Sequence, residues 1–526
     1  MDRHLTRAAC RKGRRELAAG KHASALAVFE SVVRARPDCA AARYHLARAS
    51  FALGEIERAT RNLRASLRIR TDIRALRSLA TIAPFDLRLD HAAILKYRRA
   101  LGVAVRARTG APAEASVAVS PARKVLKIGY VSSFFAEDNW MKPVWGLIDH
   151  HDTRRVEVHL FSDAPGALAV RRRARASGAR VHDISYLDND AAARRIARTR
   201  LDVLVDLNQY SRVDRLPLFS AKPAPIVVAW FNIFGTSGMP AFDALIGDPW
   251  LVRDSEKRWY VEQVIELPLS SLTFAVNYPV PKVAPPPSLR NGFVTFGSLS
   301  SLYKINDGVV RAWAEILKRS PGSRLLVGNA KLGDPGNRKH TLARFAAHGI
   351  EPGRVTLLGP AEHYAFLRNY DAIDIALDTF PYNGGTTTTE AIWQGVPVVA
   401  FSGDRWISRT SASLLENAGL DGFVCKDVRG YVETAVRWGS EGKTERRREL
   451  RRTMRTRLKA SPVTDCARLA ACIEDVYFRL RDAKFRSEAP SPRRLRPQRL
   501  ETSHSKRGST ASKRDSTGRN LQAPST

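Results

Sequence analysis

Apolar positions in the first 73 residues recur at helical spacing, and the pattern nearly repeats. Gly20, Ala25 and Phe29 return as Gly54, Ala59 and Leu63, each 34 positions later, the period of a tetratricopeptide helix–turn–helix. The small residues let paired helices approach closely, and the large ones fill the seam. Pro37 punctuates the first unit, and Thr71 stands at the matching place in the second. Two units are fewer than the three or so such stacks need. Residues 74–105 are therefore expected to add a further helix or two as a cap. A plain helical bundle is the alternative.

From Lys127 the rhythm changes to short β-rich runs alternating with helical stretches. KIGYVS, VEVHLFS, VLVDLN, IVVAWF and ALIGD form one series. FVTFGSL, RLLVGNA, VTLLGP, IDIALD and VPVVAF form a second. Such alternation predicts parallel sheets with helices on both faces. The proline-rich NYPVPKVAPPPSLRNG between the series reads as a hinge. Two doubly wound halves in tandem enclose a cleft, and ligands of such sheets sit outside the carboxyl ends of the strands. The expected division is a helical repeat region at 1–106, an Ala/Pro/Ser-rich linker at 107–126, a first α/β half at 127–285, a second half with a trailing helix at 286–484, and a basic tail at 485–526. The tail has almost no large apolar residues and is expected to be disordered.

Composition narrows the classes. The chain has 526 residues, 44% of them hydrophobic, with no run of about 18 apolar residues that would span a membrane. Its first residues, MDRHLTRAACRKGRRELAAG, lack the apolar stretch of a secretory signal. Five scattered cysteines without a CxxC pair argue against a disulfide framework or zinc site and point to the cytoplasm. A net charge of +34 raises nucleic-acid binding as a reading that rests on charge alone, with no aromatic-interleaved basic motif behind it.

The stretch LDTFPYNGGTTTTEAIWQGVPVV, Leu377 to Val399, carries the chemistry. A strand gives way to a glycine pair, four threonines and a helix. A helix N-terminus presents unpaired N–H groups and the positive end of a dipole, a natural seat for a phosphate. Gly384 and Gly385 let the backbone turn and a ligand approach. Thr386 to Thr389 can cap the helix and offer hydroxyls, and Glu390 can accept bonds from ribose. In FGSLSSLYKIN a Ser-rich turn leads to Lys304, placed to neutralise a pyrophosphate in the same cleft. A nucleoside diphosphate site is expected.

The stretches LDTFPYNGGTTTTEAIWQGVPVVAFSGDRWISRTSASLL, RLPLFSAKPAPIVVAWFNIFGTSGMPAFDALIGD and KIGYVSSFF, the SLYK turn and the repeats in front together resemble the O-linked N-acetylglucosamine transferase family. The likeness is to SPINDLY-like members of glycosyltransferase family 41 with a short bacterial-type repeat region, and it covers roughly residues 10–480. The resemblance implies a GT-B fold, two Rossmann-like halves with the sugar nucleotide in the second. It implies UDP-N-acetylglucosamine as donor, no metal or other cofactor, and Ser or Thr of a protein, met through the repeats, as acceptor. Carried over by position, Lys304 matches the diphosphate lysine, and Ser301 stands where many members have Gln or Asn. Thr386 and Thr387 match the phosphate-binding threonines, Gly385 stands where some members have His, Glu390 matches an Asp that holds the ribose, and His363 matches a His near the uracil.

The chain departs from the family after KIGYVSSFF. Members have His followed by Pro there, and this chain reads AEDNWMKPVW, with Asp138 in the His place. A carboxylate can serve as general base, so Asp138 is the catalytic candidate; the alternatives are a helix cap ahead of Asn139 or an inactive enzyme. Trp140 and Trp145 read as sugar platforms or core. His150 and His151 read as a solvated helix end, Asp202 and Asp206 as flanking a strand with one facing the cleft, and Arg405 and Arg409 as reaching phosphate or bracing the last turns. The competing functions are an active transferase of N-acetylglucosamine to protein Ser or Thr, a UDP-sugar transferase acting on a glycan or cell-envelope component, and a repeat scaffold whose α/β halves sense a UDP-sugar.

Overall fold

Helices α1 (Arg3–Ala18), α2 (His22–Ala35), α3 (Ala40–Ala52), α4 (Ile56–Ile69), α5 (Ile73–Ile82) and α6 (His91–Arg106) open the chain. This computed structural model describes residues 3–109 and 124–488. The positions that repeat in sequence are the buried ones: Ala25, Phe29, Ala59 and Leu63 are all fully inaccessible. Asp72 and Asp90 cap α5 and α6 by accepting the N–H groups of Arg74 and Ala93, so the cap beyond the two repeats is one helix pair. Gly20 and Gly54 turn each pair with φ of 75° and 83°, where a side chain is strained. Both turns dock on the second α/β half. Asn337 Nδ2 donates to Gly20 O at 2.9 Å, and a Cβ on Gly54 would run into the carbonyl of Ile305.

The first half is a seven-stranded sheet of order β3-β2-β1-β4-β5-β6-β7. Its strands are β1 (Leu126–Ser132), β2 (Val156–Ser162), β3 (Arg180–Asp183), β4 (Val203–Asp206), β5 (Ile226–Ala229), β6 (Ala244–Gly247) and β7 (Gln263–Glu266). The second is six-stranded, β10-β9-β8-β11-β12-β13. It contains β8 (Thr295–Ser298), β9 (Arg324–Gly328), β10 (Val355–Leu358), β11 (Ile375–Leu377), β12 (Val398–Phe401) and β13 (Val424–Cys425). Every pairing is parallel. In each half the order reverses beside the first strand, which leaves a crevice at the carboxyl ends.

Two boundaries differ from expectation. β1 begins at Leu126, one residue inside the expected linker; residues 110–123 lie outside the described part. The trailing helix Cys466–Glu488 runs four residues into the segment assigned to the tail, whose remaining residues also lie outside. That helix follows the second half in sequence but packs on the first. Leu469, Ile473, Val476 and Tyr477 join Ile128, Tyr130, Val203 and Val205 in one buried cluster. The contact carries a polar network. Tyr130 Oη lies 2.8 Å from His151 Nε2, and His151 Nδ1 lies 2.9 Å from Glu474 Oε1. Arg155 donates to the other Glu474 oxygen at 3.0 Å. His151 is therefore not part of a solvated helix end. It is 8% exposed, and its neighbour His150 is the exposed member of the pair.

Candidate active site

Strand β11 delivers Asp378 to the crevice, fully inside the protein. Its Oδ1 accepts the N–H groups of Thr379 at 2.9 Å and Gly384 at 2.7 Å, which folds 378–384 into a loop. Burial pushes this carboxyl up to about 6, against the pull of its hydrogen bonds and of Lys304. Gly384 is obligatory, since a Cβ there would strike the Thr388 hydroxyl and lie 2.7 Å from that of Thr387. Gly385 meets nothing closer than 3.8 Å and serves as N-cap of the helix Thr386–Trp393.

The four threonines divide by hydrogen bonding. Thr388 Oγ1 pairs with Ser411 Oγ at 2.7 Å, and Thr389 Oγ1 donates to Thr386 O at 2.9 Å. Thr386, Thr387 and Thr389 all line a cavity of about 350 Å³ between the two halves, and the hydroxyls of Thr386 and Thr387 make no hydrogen bond among the described residues. Ser301, Lys304 and Gly385 line the same cavity from the second half, and Trp140, Trp230 and Phe231 from the first. Lys304 Nζ donates to Asn383 O at 2.8 Å and lies 3.8 Å from the Tyr382 ring centre. Burial lowers its pKa to about 8, with Asp378 opposing the shift. A cation with a weakened hold on its proton, facing two free hydroxyls and a helix N-terminus, is built to receive negative charge. Phe231 holds a φ of 71°, a strained conformation for a bulky residue and one that clusters at functional sites.

A second group forms from both halves beside Pro143 and Phe274, which line the cavity. Lys142 opens the helix Lys142–Ile148, and its Nζ lies 2.7 Å from Glu390 Oε1. Both side chains are 4% exposed. His363 Nε2 is 3.3 Å from the same ammonium, and the rings of Tyr278 and Phe274 lie 4.2 and 5.2 Å from it. Burial lowers Lys142 while Glu390 opposes the change. Burial also raises Glu390, countered by Lys142, and it holds His363 near 4, with Lys142 adding to the effect. Neither Glu390 nor His363 is among the residues that line the cavity, and one Glu390 oxygen is engaged by a lysine of the opposite half. Lys142 escaped the sequence reading because its partner lies 248 residues away.

Asp138 is not brought to the cavity. Turn bonds from the N–H groups of Trp140 and Met141 to Glu137 O leave it exposed, while Trp140, two residues on, lines the wall. It caps nothing either, as the following helix starts at Lys142 with Met141 as N-cap. Trp145 is core, donating to Phe135 O at 3.2 Å. Arg405 and Arg409 do not face phosphate. Arg405 donates to the carbonyls of Pro84 and Asp86 at the end of the repeat region. Arg409 is 1% exposed, is paired to Glu256 of the first half, and donates to Leu251 O at 2.8 Å. Asp202 binds the Lys127 N–H and Asp206 those of Asn208 and Gln209, so both brace the sheet. Among the described residues no group of three His, Cys, Asp or Glu is placed to hold a metal ion, and no helix is long and apolar enough to cross a membrane.

The family described as Glycosyl transferase family 41 matches residues 106–271 and 287–473. The chain belongs to that family. Residues 16–82 of this family-41 chain match a tetratricopeptide repeat. A probable UDP-N-acetylglucosamine–peptide N-acetylglucosaminyltransferase SPINDLY of Solanum lycopersicum is 32% identical over 375 residues, covering 70% of this chain and 40% of the relative. The corresponding SEC protein of Arabidopsis thaliana is 26% identical over 72% of this chain and 40% of its own length. The chain thus spans about 40% of the length of these curated relatives. A solved mutant O-GlcNAc transferase of Thermobaculum terrenum superposes with a TM-score of 0.81 at 30% identity, over 91% of each chain. The halves and the repeats in front of them accordingly form a GT-B enzyme fold with a short tetratricopeptide region.

Proposed function

We propose that this family-41 protein transfers N-acetylglucosamine from UDP-N-acetylglucosamine to Ser or Thr hydroxyls of a protein acceptor. The observation that carries the reading is the convergence of Lys304, the free hydroxyls of Thr386 and Thr387 and one helix N-terminus on a single interlobe cavity. In this reading those groups take the diphosphate and stabilise the charge that builds on the leaving UDP, a task that needs no metal. The Glu390 oxygen not held by Lys142 accepts a ribose hydroxyl, and His363 lies at the base. Lys142 fixes that carboxylate's direction and links the halves at the nucleoside end. Ser301 and Gly385 line the diphosphate. Trp140 and Phe231 form the acceptor side of the wall.

The attacking hydroxyl must lose a proton, and the cavity lining contains no carboxylate and no imidazole. That leaves a phosphate oxygen of the donor, or the exposed Asp138, which reaches the cavity only if its turn moves as the acceptor docks. The same feature favours a second reading, a UDP-sugar-sensing module without transfer.

Calorimetry of UDP and UDP-N-acetylglucosamine, with chelator present, on wild type and Lys304→Ala is the test. Binding that the substitution abolishes supports the donor site, and absence of binding to wild type refutes it. Donor hydrolysis or transfer by wild type, compared with Asp138→Asn, separates the enzyme from the sensor. A panel including GDP-sugars checks the base.

A further inference from the structure

A second cavity, of about 450 Å³, opens where the concave face of the repeats meets the first half. That volume falls within the range of ligand sites. Its wall is basic and aromatic: Arg48, Arg74 and Arg77 with Tyr44 and Phe51, and no Asp or Glu lines it. Arg74 is already paired, with Asp72 at 2.8 Å. Arg48 and Arg77 make no ion pair among the described residues. Two polar atoms on this wall are buried without any hydrogen-bond partner, Arg77 Nε and His22 Nδ1, and His22 is only 9% exposed. Both atoms are closed to solvent, so what the hollow offers a ligand is the exposed Arg48 and the half-buried Arg77, two cations with no carboxylate beside them in the wall. The nearby His45 reports the same field, held to about 4 by burial and then by Arg48, Arg14 and Arg74.

The position gives the hollow a purpose. Phe51 lines it and stacks on Tyr303 with ring centres 5.2 Å apart, and Tyr303 lines the interlobe cavity. The two cavities stand back to back across one ring pair, a wall that an extended chain spans in roughly three residues. We propose that this hollow is a docking site for an acidic peptide segment, whose Asp or Glu side chains pair with Arg48 and Arg77. Identifying that segment as part of the acceptor protein, with its carboxylates a few residues from the modified hydroxyl, rests on the transferase reading. The site itself does not.

The test uses the full chain and a fluorescein-labelled twelve-residue peptide with four glutamates flanking one serine. The matched peptide has lysines in their place. Fluorescence anisotropy should show binding of the glutamate peptide and not of the lysine peptide. Arg48→Glu/Arg77→Glu should weaken it about tenfold, as expected for two partly exposed ion pairs. Arg61→Glu/Arg64→Glu, exposed on α4 and outside this hollow, should change it less than about twofold. Equal weakening by both double variants would overturn the site in favour of diffuse attraction to a +34 chain. Tighter, Arg48-dependent binding of a twelve-nucleotide oligo-dT would overturn the choice of ligand. If the double variant melts early, Arg48→Gln alone should still weaken the peptide about twofold to threefold. UDP calorimetry on the same samples separates this outcome from failure of the donor site, since UDP binding should be unchanged in every variant.

Discussion

Replacing Lys142 by methionine keeps the side chain's length and removes its charge. Glu390, 4% exposed, is then left with only the His363 imidazole, 3.8 Å away and held near 4 by burial first. It can stay ionised, at the roughly 3–5 kcal/mol that stranding a buried charge costs, or it can take up a proton. Protonation sets the ceiling. From the ordinary glutamate value of 4.5, holding that proton at pH 7 costs about 3.4 kcal/mol, at 1.36 kcal/mol per pH unit. The folded-state pKa of Glu390 in the variant lies above its unfolded value. Its contribution is therefore intact below about pH 4.5 and is lost as pH rises, by about 1.4 kcal/mol per unit. In the wild type the ammonium opposes that rise, so the slope there is weaker. Urea unfolding of both proteins at pH 5, 6 and 7, followed by tryptophan fluorescence, should give a difference that grows with pH at up to that rate. Adding Glu390→Gln to the variant should recover most of the loss at pH 7. A destabilisation independent of pH, or no recovery, would refute a charge contact between the two halves at this point.

Because Lys304 titrates near 8 when the cavity is free and a bound diphosphate favours its charged form, UDP affinity should fall as pH rises above about 8, by up to about tenfold per unit; calorimetry at pH 7 to 9.5 measures it, and a flat profile would remove Lys304 from the phosphates. Gly384→Ala should weaken UDP binding severely by pushing its Cβ into the Thr388 hydroxyl, while Gly385→Ala, with 3.8 Å of clearance, should bind within a few-fold of wild type. Glu390→Gln should weaken UDP about tenfold through loss of a charge-assisted bond, and should affect 2′-deoxy-UDP less if the bonded hydroxyl is O2′. Arg409→Met strands Glu256 and should cost about 3–5 kcal/mol in thermal or urea unfolding, with UDP binding retained at low temperature.

The sheets were legible where strands run apolar on both faces. VLVD and IVVA, buried at every position, announce themselves. RVHD, QVIE and the two-residue VC form edge strands of mixed polarity or minimal length, and no local pattern marks them. The threonine run was readable as a helix end, but which hydroxyls stay free depends on Ser411, supplied by the next helix. The turn that points Asp138 outward is set by backbone bonds to Glu137, so alignment with a family histidine could not place its side chain. Arg405, Arg409 and Lys142 share a further difficulty. Each meets a partner contributed by a different lobe or by the repeats, and charge next to a glycine-rich turn looks the same in sequence whether it faces phosphate or a distant carboxylate.

The return of the closing helix to the first sheet also orders events in time. The hydroxyls of Tyr130 and Tyr477 come within 3.4 Å, yet 347 residues separate them along the chain. At about 5–20 residues per second, a ribosome that has just made β1 needs roughly 20 to 70 s to make the helix that covers it. Between the completion of β7 and that of the helix, the first half has its strands but not the cover over Ile128, Val203 and Val205, and that apolar face is open. The strands of the second half, which end at Cys425, are also made before that helix. The helix Cys466–Glu488, made after both sheets, is the one that ends the exposure of the first.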